Sequence, residues 1–243
     1  MKILFSPSEA KISDSLYGQI DKKDFLFEDL YEKRVYILQK YQEFVENAND
    51  NELQKLFGLK DISTYKAQNI FTSKTLKAIQ RYSGVGYEYL KYNTLNKDAQ
   101  IFLDNNLIIF SNLFGPILAK TNLPYYKLKQ GEKLNGFKIE DFYKQNFSAA
   151  LDEYLKDEFI IDLRAGFYEK FYKPKKKYIT MKFIKNSKTV SHWAKAYRGK
   201  VVRALAIHKP QNESEFSKIE FENLKIIEII QKSFKKEYIF EII

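Results

Sequence analysis

The run Ser191–Arg203, S-H-W-A-K-A-Y-R-G-K-V-V-R, carries the densest chemical information in the chain. Placed on a helix at about 100° per residue, it puts Lys195, Arg198 and Arg203 on one side with His192 and Gly199. Trp193, Tyr197, Val201 and Ala204 fall on the other side, and Lys200 and Val202 break the sorting. Lysine supplies a mobile point charge and arginine a planar fork of donors, so this face suits phosphate or carboxylate groups. A glycine in its middle reads as a gap through which a ligand approaches the backbone. The plainer alternative is a surface helix whose cations are simply solvated. His192, beside two cations, reads as a packing or polar-contact residue rather than a general base.

Other chemistry is largely excluded. Without cysteine there is no disulfide scaffold, zinc–thiolate site, iron–sulfur cluster or thiol peroxidase chemistry. Two histidines, His192 and His208, are too few for a histidine-rich metal site. No Asp/Glu set has metal-ligand spacing: Asp152-Glu153 and Asp157-Glu158 fall on a helix and its exposed end. No cofactor is expected. Gly84-x-Gly86 alone falls far short of a dinucleotide fingerprint, and no Walker-type loop is present.

The net charge of +10 makes polyanions natural partners. Part of the lysine excess belongs to a composition rich in Lys, Ile, Asn, Tyr and Phe, as an AT-rich genome favours. Arginine is the more telling residue, and two of the five, Arg198 and Arg203, sit in the opening run. The first seven residues hold too short an apolar run for a signal peptide, and no window approaches the ~20 apolar residues of a membrane span. The expectation is a cytoplasmic protein without membrane association.

Strands alternating with helices must position these groups. Lys2–Phe5 reads as a buried strand closed by Ser6-Pro7-Ser8, Phe27–Asn47 as a helix, and Lys66–Tyr82 as another with Ile70, Leu76 and Ile79 inward. Leu53-x-x-Leu56-x-Gly58 faintly resembles a helix–hairpin–helix element but lacks the second glycine, so an ordinary helical turn is the preferred reading. Gly84–Tyr87 reads as a flexible turn, and Asn96 as the cap of a helix to Asp104. Leu107–Phe110, Phe159–Leu163, Tyr178–Ile184, Thr189–His192, Leu224–Ile230 and Tyr238–Ile243 read as strands, with Ile139–Lys156 helical and 117–136 irregular. The sum is one domain over 1–243, α/β shading to α+β, with a mixed central sheet and flanking helices. Polar residues gather at the strand ends: Ser6, Ser8, Ser111, Asn112, Arg164, then His192 with Lys195. Ligands collect at such ends in open α/β sheets, so these segments are expected to line one cleft.

Several runs together resemble the YaaA family of bacterial peroxide-stress proteins. They are Ile3-Leu4-Phe5-Ser6-Pro7, Gly84-x-Gly86-Tyr87, Ser111-x-Leu113-Phe114-Gly115, Tyr126-Lys127-Leu128-x-x-Gly131, Tyr168-x-Lys170 and Ala194-Lys195-Ala196-Tyr197-Arg198-Gly199, with Arg203 following. The resemblance runs from Met1 to about Lys209. Its departures are consistent in kind. The family's aspartate in the glycine turn is Val85 here, and its Arg-Leu-Glu-Met-Gly is Lys127-Leu128-Lys129-Gln130-Gly131. Its Leu-Arg-Pro and following Asp give way to Ile117-Leu118-Ala119 and Thr121. Its Asn-Leu-Ala-Ser-x-Glu-Tyr is Asp162-Leu163-Arg164-Ala165-Gly166-Phe167-Tyr168. Carboxylates are lost while the basic helix is kept.

The resemblance implies a basic cleft, DNA binding and a role in limiting oxidative DNA damage. On that reading Lys195, Arg198 and Arg203 hold the phosphate backbone, Lys170 and Lys127 assist, and Ser6, Tyr87 and Tyr168 offer hydroxyls. The second reading is an enzyme acting on a small anionic or phosphorylated substrate, with Lys195 and Arg198 clamping the anion. Lys173–Lys177 between Tyr172 and Tyr178, and Lys127 beside Tyr125 and Tyr126, are minor candidates for base stacking.

Overall fold

The computed structural model describes residues 1–186, 188, 189 and 191–243, and the side chains from 193 onward in the last of these spans. In chain order its elements are β1 Lys2–Phe5, α1 Tyr31–Asn47, α2 Asp50–Phe57, α3 Ser63–Lys66, β2 Thr75–Lys77, α4 Ala78–Arg81, α5 Val85–Leu90 and α6 Lys97–Asn106. There follow β3 Leu107–Ser111, β4 Gly115–Leu118, β5 Asn122–Pro124, α7 Ile139–Leu155, β6 Ile160–Asp162 and β7 Tyr178–Lys185. The last are β8 Lys188–Thr189, α8 Ser191–His208, α9 Glu213–Phe216, β9 Leu224–Lys232 and β10 Lys235–Ile242.

The central sheet runs β4-β3-β1-β6-β7-β10-β9, with β8 paired to the end of β7. β3, β1, β6, β7 and β10 are mutually parallel, and antiparallel β4 and β9 close the two edges. The fold is therefore α/β with a mixed sheet. β1, β3 and β6 are almost wholly buried, as parallel strands covered on both faces must be. The chain runs from β1 to β3 on one side and returns to β6 on the other, so the strand order reverses at β1. The crevice beyond the carboxyl ends of β1 and β6 is the place where such sheets bind ligands.

Several elements differ from the sequence expectation. The helix expected over Lys66–Tyr82 is broken by Asn69. Its side-chain oxygen accepts from the amides of Phe71 and Thr72 at 2.9 and 3.2 Å, and its carbonyl from Ser73 Oγ at 2.6 Å. Buried Thr75 then pairs with Pro124 in a two-stranded sheet, β2–β5. Ile70, Leu76 and Ile79 share the core from a turn, a strand and a short helix, which imitates helical spacing. β4 lies where irregular chain was expected, because Pro116 masks it. Proline is tolerated there since β4 is an edge strand. The expected turn at Gly84–Tyr87 is the start of α5, entered through Gly84 at φ 95°. The strand expected over Thr189–His192 ends at Thr189, and α8 begins at Ser191.

Other readings hold. Asn96 caps α6 by accepting from Ala99 N at 2.9 Å. α2 ends on Gly58 in the left-handed region, an ordinary helix end. No described helix is long and apolar enough to cross a membrane.

Candidate anion site

The carboxyl ends of β1 and β6 are stitched together above the sheet. The Leu163 amide donates to the Leu4 carbonyl at 2.8 Å, and the Ala165 amide to Ser6 Oγ at 2.8 Å. β7 feeds through β8 into α8, which returns across this edge and packs on α5. Between these pieces lies a cavity of about 490 Å³. The loop Phe5–Glu9, the α5 start Gly84–Tyr87, Gln130, Ala165, Tyr168, Lys195 and Arg198 form its wall. Ser6, Tyr87, Tyr168, Lys195 and Arg198, widely separated in sequence, thus meet at one place.

The arginines sort cleanly. Arg34 is fully buried and donates to the carbonyls of Leu26 and Pro116, both at 2.7 Å, and of Phe114. Arg81, also fully buried, donates to Leu123, Ile12 and Asp14 carbonyls and to Ser15 Oγ. Arg164 grips Asp162 in a buried two-point pair, 2.9 and 2.7 Å, and caps the carbonyls of Tyr168 and Tyr172. Arg203 donates to the carbonyls of Leu90 and Lys91 at 3.1 and 3.0 Å and to Thr94 Oγ1 at 2.9 Å. Only Arg198 makes no hydrogen bond or ion pair among the described residues. It is half-buried in the cavity wall, and burial pulls it below the usual arginine value while Asp162 pushes the other way. Lys195, exposed one turn earlier, likewise has no partner among the described residues.

The hydroxyls act as neutral groups. Tyr87 donates to the Ser6 carbonyl at 2.9 Å, and burial raises both Tyr87 and Tyr168 above the ordinary tyrosine value. Neither is therefore a ready base at neutral pH. Glu9 and Gln130 were not singled out from sequence. Glu9 accepts from the Gln130 amide at 3.0 Å and lies 4.0 Å from the Lys127 ammonium, so it bridges two loops across the rim. The signal for it was its position just after the first strand.

The remaining sequence candidates lie elsewhere. Arg203 holds the end of α5 and stands outside the cavity wall. Lys170 is exposed, with its ammonium 4.9 Å from the Phe167 ring centre. Lys127 sits at the rim through Glu9. Ser111 is buried and bonds the Tyr126 hydroxyl at 2.9 Å, while Asn112 and Arg164 are buried outside the wall, so only part of the polar strand-end set converges. Tyr126 and Tyr172 are buried, so their rings are not offered for stacking, while half-buried Tyr125 shares a hydroxyl hydrogen bond with Tyr65 at 2.6 Å. The side chain of His192 lies outside the described residues. Gly199 faces Gly86 of α5 rather than open space: a Cβ there would fall 2.0 Å from the Gly86 carbonyl oxygen. The glycine serves helix–helix contact, and ligand approach is not its role. Trp193, expected on the apolar side, is 43% exposed.

Lys11 adjoins the site. Half-buried, its ammonium lies 4.2 Å from the Tyr126 ring centre and 5.3 Å from that of Tyr82. Burial, then the nearby Lys127 charge, lower it to about 7, against an upward pull from Glu9. The unfolded chain keeps an ordinary lysine, so between about pH 7 and 10 it binds more protons than the fold, and Lys11 makes stability rise with pH there. Lys11→Met removes that titration. The unfolding free energy of the wild type minus that of the variant should therefore grow from about pH 6 to about pH 9 in urea titrations. A difference that stays flat would show Lys11 to titrate normally.

Comparison with known proteins bears on this geometry. The family model described as peroxide stress protein YaaA matches residues 1–229. The chain belongs to the YaaA family. An uncharacterized protein of Campylobacter jejuni is 47% identical over 246 residues, covering 100% of both chains. UPF0246 proteins of Fusobacterium nucleatum and Corynebacterium glutamicum are 28% and 31% identical, covering 93% and 87% of this chain and the same shares of their own.

Four YaaA-like runs supply the cavity wall: the β1 end, the Gly84 turn, the Tyr168 segment and the Lys195–Arg198 turn of α8. Three departures from the YaaA pattern fall on it as well. Val85 stands where the resemblance places an aspartate, Gln130 where it places a methionine, and Ala165 where it places a serine. Glu9 is the one carboxylate among the lining residues.

Proposed function

We propose that the cavity receives a phosphate of a nucleic-acid backbone, and that this cytoplasmic YaaA-family protein binds DNA and limits its oxidative damage during peroxide stress. The observation carrying this reading is Arg198. Four of the five arginines are tied to carbonyls, carboxylate or hydroxyl within the fold, and Arg198, which lines the cavity, alone has no internal partner among the described residues. A half-buried guanidinium in that state favours an anion, because an ionic partner restores what burial removed. Lys195 beside it and Lys127 at the rim add to the same field, and the net charge of +10 favours a polyanion.

The test is binding of duplex and single-stranded oligonucleotides across a salt series. Each lost phosphate contact lowers the slope of log affinity against log salt by about one unit. Replacing Lys195 and Arg198 together by glutamine should reduce it by about two. Failure of the wild type to bind either form at low salt would sink the proposal.

The shape of the cavity favours a second reading. Its volume falls in the ~300–1,000 Å³ range of small-molecule pockets, and strand ends, two helices and a loop enclose it. A small phosphorylated substrate then replaces the backbone phosphate. Thermal protection by inorganic phosphate exceeding that by an oligonucleotide would favour this reading, and the reverse order would reject it.

A further inference from the structure

We propose that the protein forms a two-fold dimer in solution by antiparallel pairing of β9 with β9 of a second copy. The proposal is independent of what the cavity binds.

β9 is the last strand of the sheet and is paired, to β10, on one side only. At nine residues, Leu224–Lys232, it is longer than the usual strand of about five or six, and it contains no proline. Ile226, Ile227 and Ile229 are 39%, 46% and 47% exposed, and Phe234 in the turn beyond is 49% exposed. Edge strands that stay solitary are short, carry proline or inward charges, or are covered. The device present here is a bulge, opposite Ile239 and Phe240, which leaves Glu228–Lys232 regular.

The backbone phase decides which groups are free. A two-residue turn, Ser233-Phe234, joins β9 to β10, so Lys232 and Lys235 form a hydrogen-bonded pair and the pairs alternate from there. Glu228, Ile230 and Lys232 therefore bond inward to β10, while the amides and carbonyls of Ile229 and Gln231 point outward. No neighbouring strand takes them among the described residues.

A two-fold axis normal to the sheet matches outward groups with outward groups only where it passes through a residue. Charge chooses among these registers. An axis through Glu228 sets two carboxylates against each other, and one through Ile229 or Gln231 leaves Glu228 and Lys232 opposite apolar residues. An axis through Ile230 sets Glu228 opposite Lys232 of the second copy, twice, and Ile229 opposite Gln231, where their free groups exchange hydrogen bonds. The neighbouring charges pair among themselves, Lys235 with Glu237 and Lys236 with Glu213. Glu228 and Lys232 are left without an ion pair among the described residues. Lys232 also faces Lys235 across the β9–β10 ladder, a like-charge opposition that Glu228 of the second copy offsets. The same register lays exposed Phe234 beside Ile226 of the second copy. Standard interfaces bury about 800 Å² per partner, and an overlap of Glu228–Lys232 falls below that, so the expected Kd is about 10 μM.

Sedimentation velocity and cysteine cross-linking of the full chain test this. Between about 1 and about 200 μM the wild type should pass from monomer to dimer. The chain has no cysteine, so Ile230→Cys introduces a single one, on the axis, in a non-hydrogen-bonded pair close enough for a disulfide. Oxidation should give a covalent dimer, whereas Ile226→Cys, well away from the axis, should not. Glu228→Lys and Lys232→Glu should each weaken the dimer about tenfold. Mixing the two variants should restore it, because each supplies the charge the other lacks. Both positions are exposed, so the urea midpoint of each monomer should stay at the wild-type value. A wild type that remains monomeric at about 200 μM overturns the proposal and leaves the edge to a different partner. A dimer that Ile230→Cys does not cross-link, that Ile226→Cys cross-links equally, or that the mixed variants fail to restore overturns the pairing through β9.

Discussion

Gly199→Ala should lower the free energy of unfolding by about 3 kcal/mol, reversing the usual sign of this change. In an exposed helix interior alanine is favoured over glycine by about 1 kcal/mol. Here the added carbon would fall 2.0 Å from the Gly86 carbonyl oxygen, 2.9 Å from its carbon and 3.1 Å from the Leu90 amide nitrogen. All three are backbone atoms, so no rotamer change relieves the overlap and α5 must move away from α8 as a unit. That motion is resisted at the far end of α5, where Arg203 of α8 holds the Leu90 and Lys91 carbonyls. It also opens the candidate site, since α5 carries Val85 and Tyr87 while α8 carries Lys195 and Arg198. Denaturant unfolding should show the loss, and nucleic-acid affinity should fall with it. Gly86→Ala is the control: its added carbon meets the Lys195 carbonyl oxygen at 3.4 Å, and the cost should stay below about 1 kcal/mol. A Gly199→Ala protein as stable as the wild type would mean the two helices are not packed this closely.

Much of the frame was legible because apolar runs and caps act locally. Lys2–Phe5, the helix from Ile139 and the Asn96 cap each follow from residues within a few positions of one another. The break at Asn69 is local, made by its bonds to residues 71–73, but the strand after it and the strand through Pro116 were not legible, since each depends on a partner across the fold: Thr75 on Pro124, and Pro116 on Phe110. For the site, residue type found the cations and hydroxyls, and Lys195, Arg198, Ser6, Tyr87 and Tyr168 do converge. Type alone cannot separate Arg198 from Arg203. Both lie on the same helix, and only the placement of α5 decides that Arg203 holds a helix end while Arg198 faces a cavity. Gly199 misled for the same reason, because whether a glycine faces a ligand or another helix is set by what packs opposite it. Lys11 gave no local signal, since its environment is made by Tyr82, Tyr126 and Lys127.

Arg81→Met should cost about 4 kcal/mol, more than most single substitutions in this fold. Burial lowers the guanidinium to about 10, so at neutral pH it is still a cation, held by dipoles rather than by a paired carboxylate. Nε and Nη2 donate to the Leu123 carbonyl at 3.2 Å, Nη2 also reaches Ser15 Oγ, and Nη1 reaches the Ile12 and Asp14 carbonyls. Hydrogen bonds from a charged donor contribute roughly 1.5–3 kcal/mol each. The surface acceptors regain water when the donor is lost, whereas the Leu123 carbonyl stays buried. Methionine fills similar space and donates nothing, which isolates the hydrogen-bonding loss from cavity formation. Arg81→Lys should recover little, because one ammonium cannot span acceptors on two sides of the loop. Since Arg81 anchors residues 12–15, limited proteolysis of the methionine variant should begin there, before global unfolding. Its charge also opposes protonation of Lys11, so the pH-dependent stability contributed by Lys11 should move to higher pH in the same variant. A variant within about 1 kcal/mol of the wild type and uncut in that loop would show that Arg81 is not the anchor of the segment leading from the site.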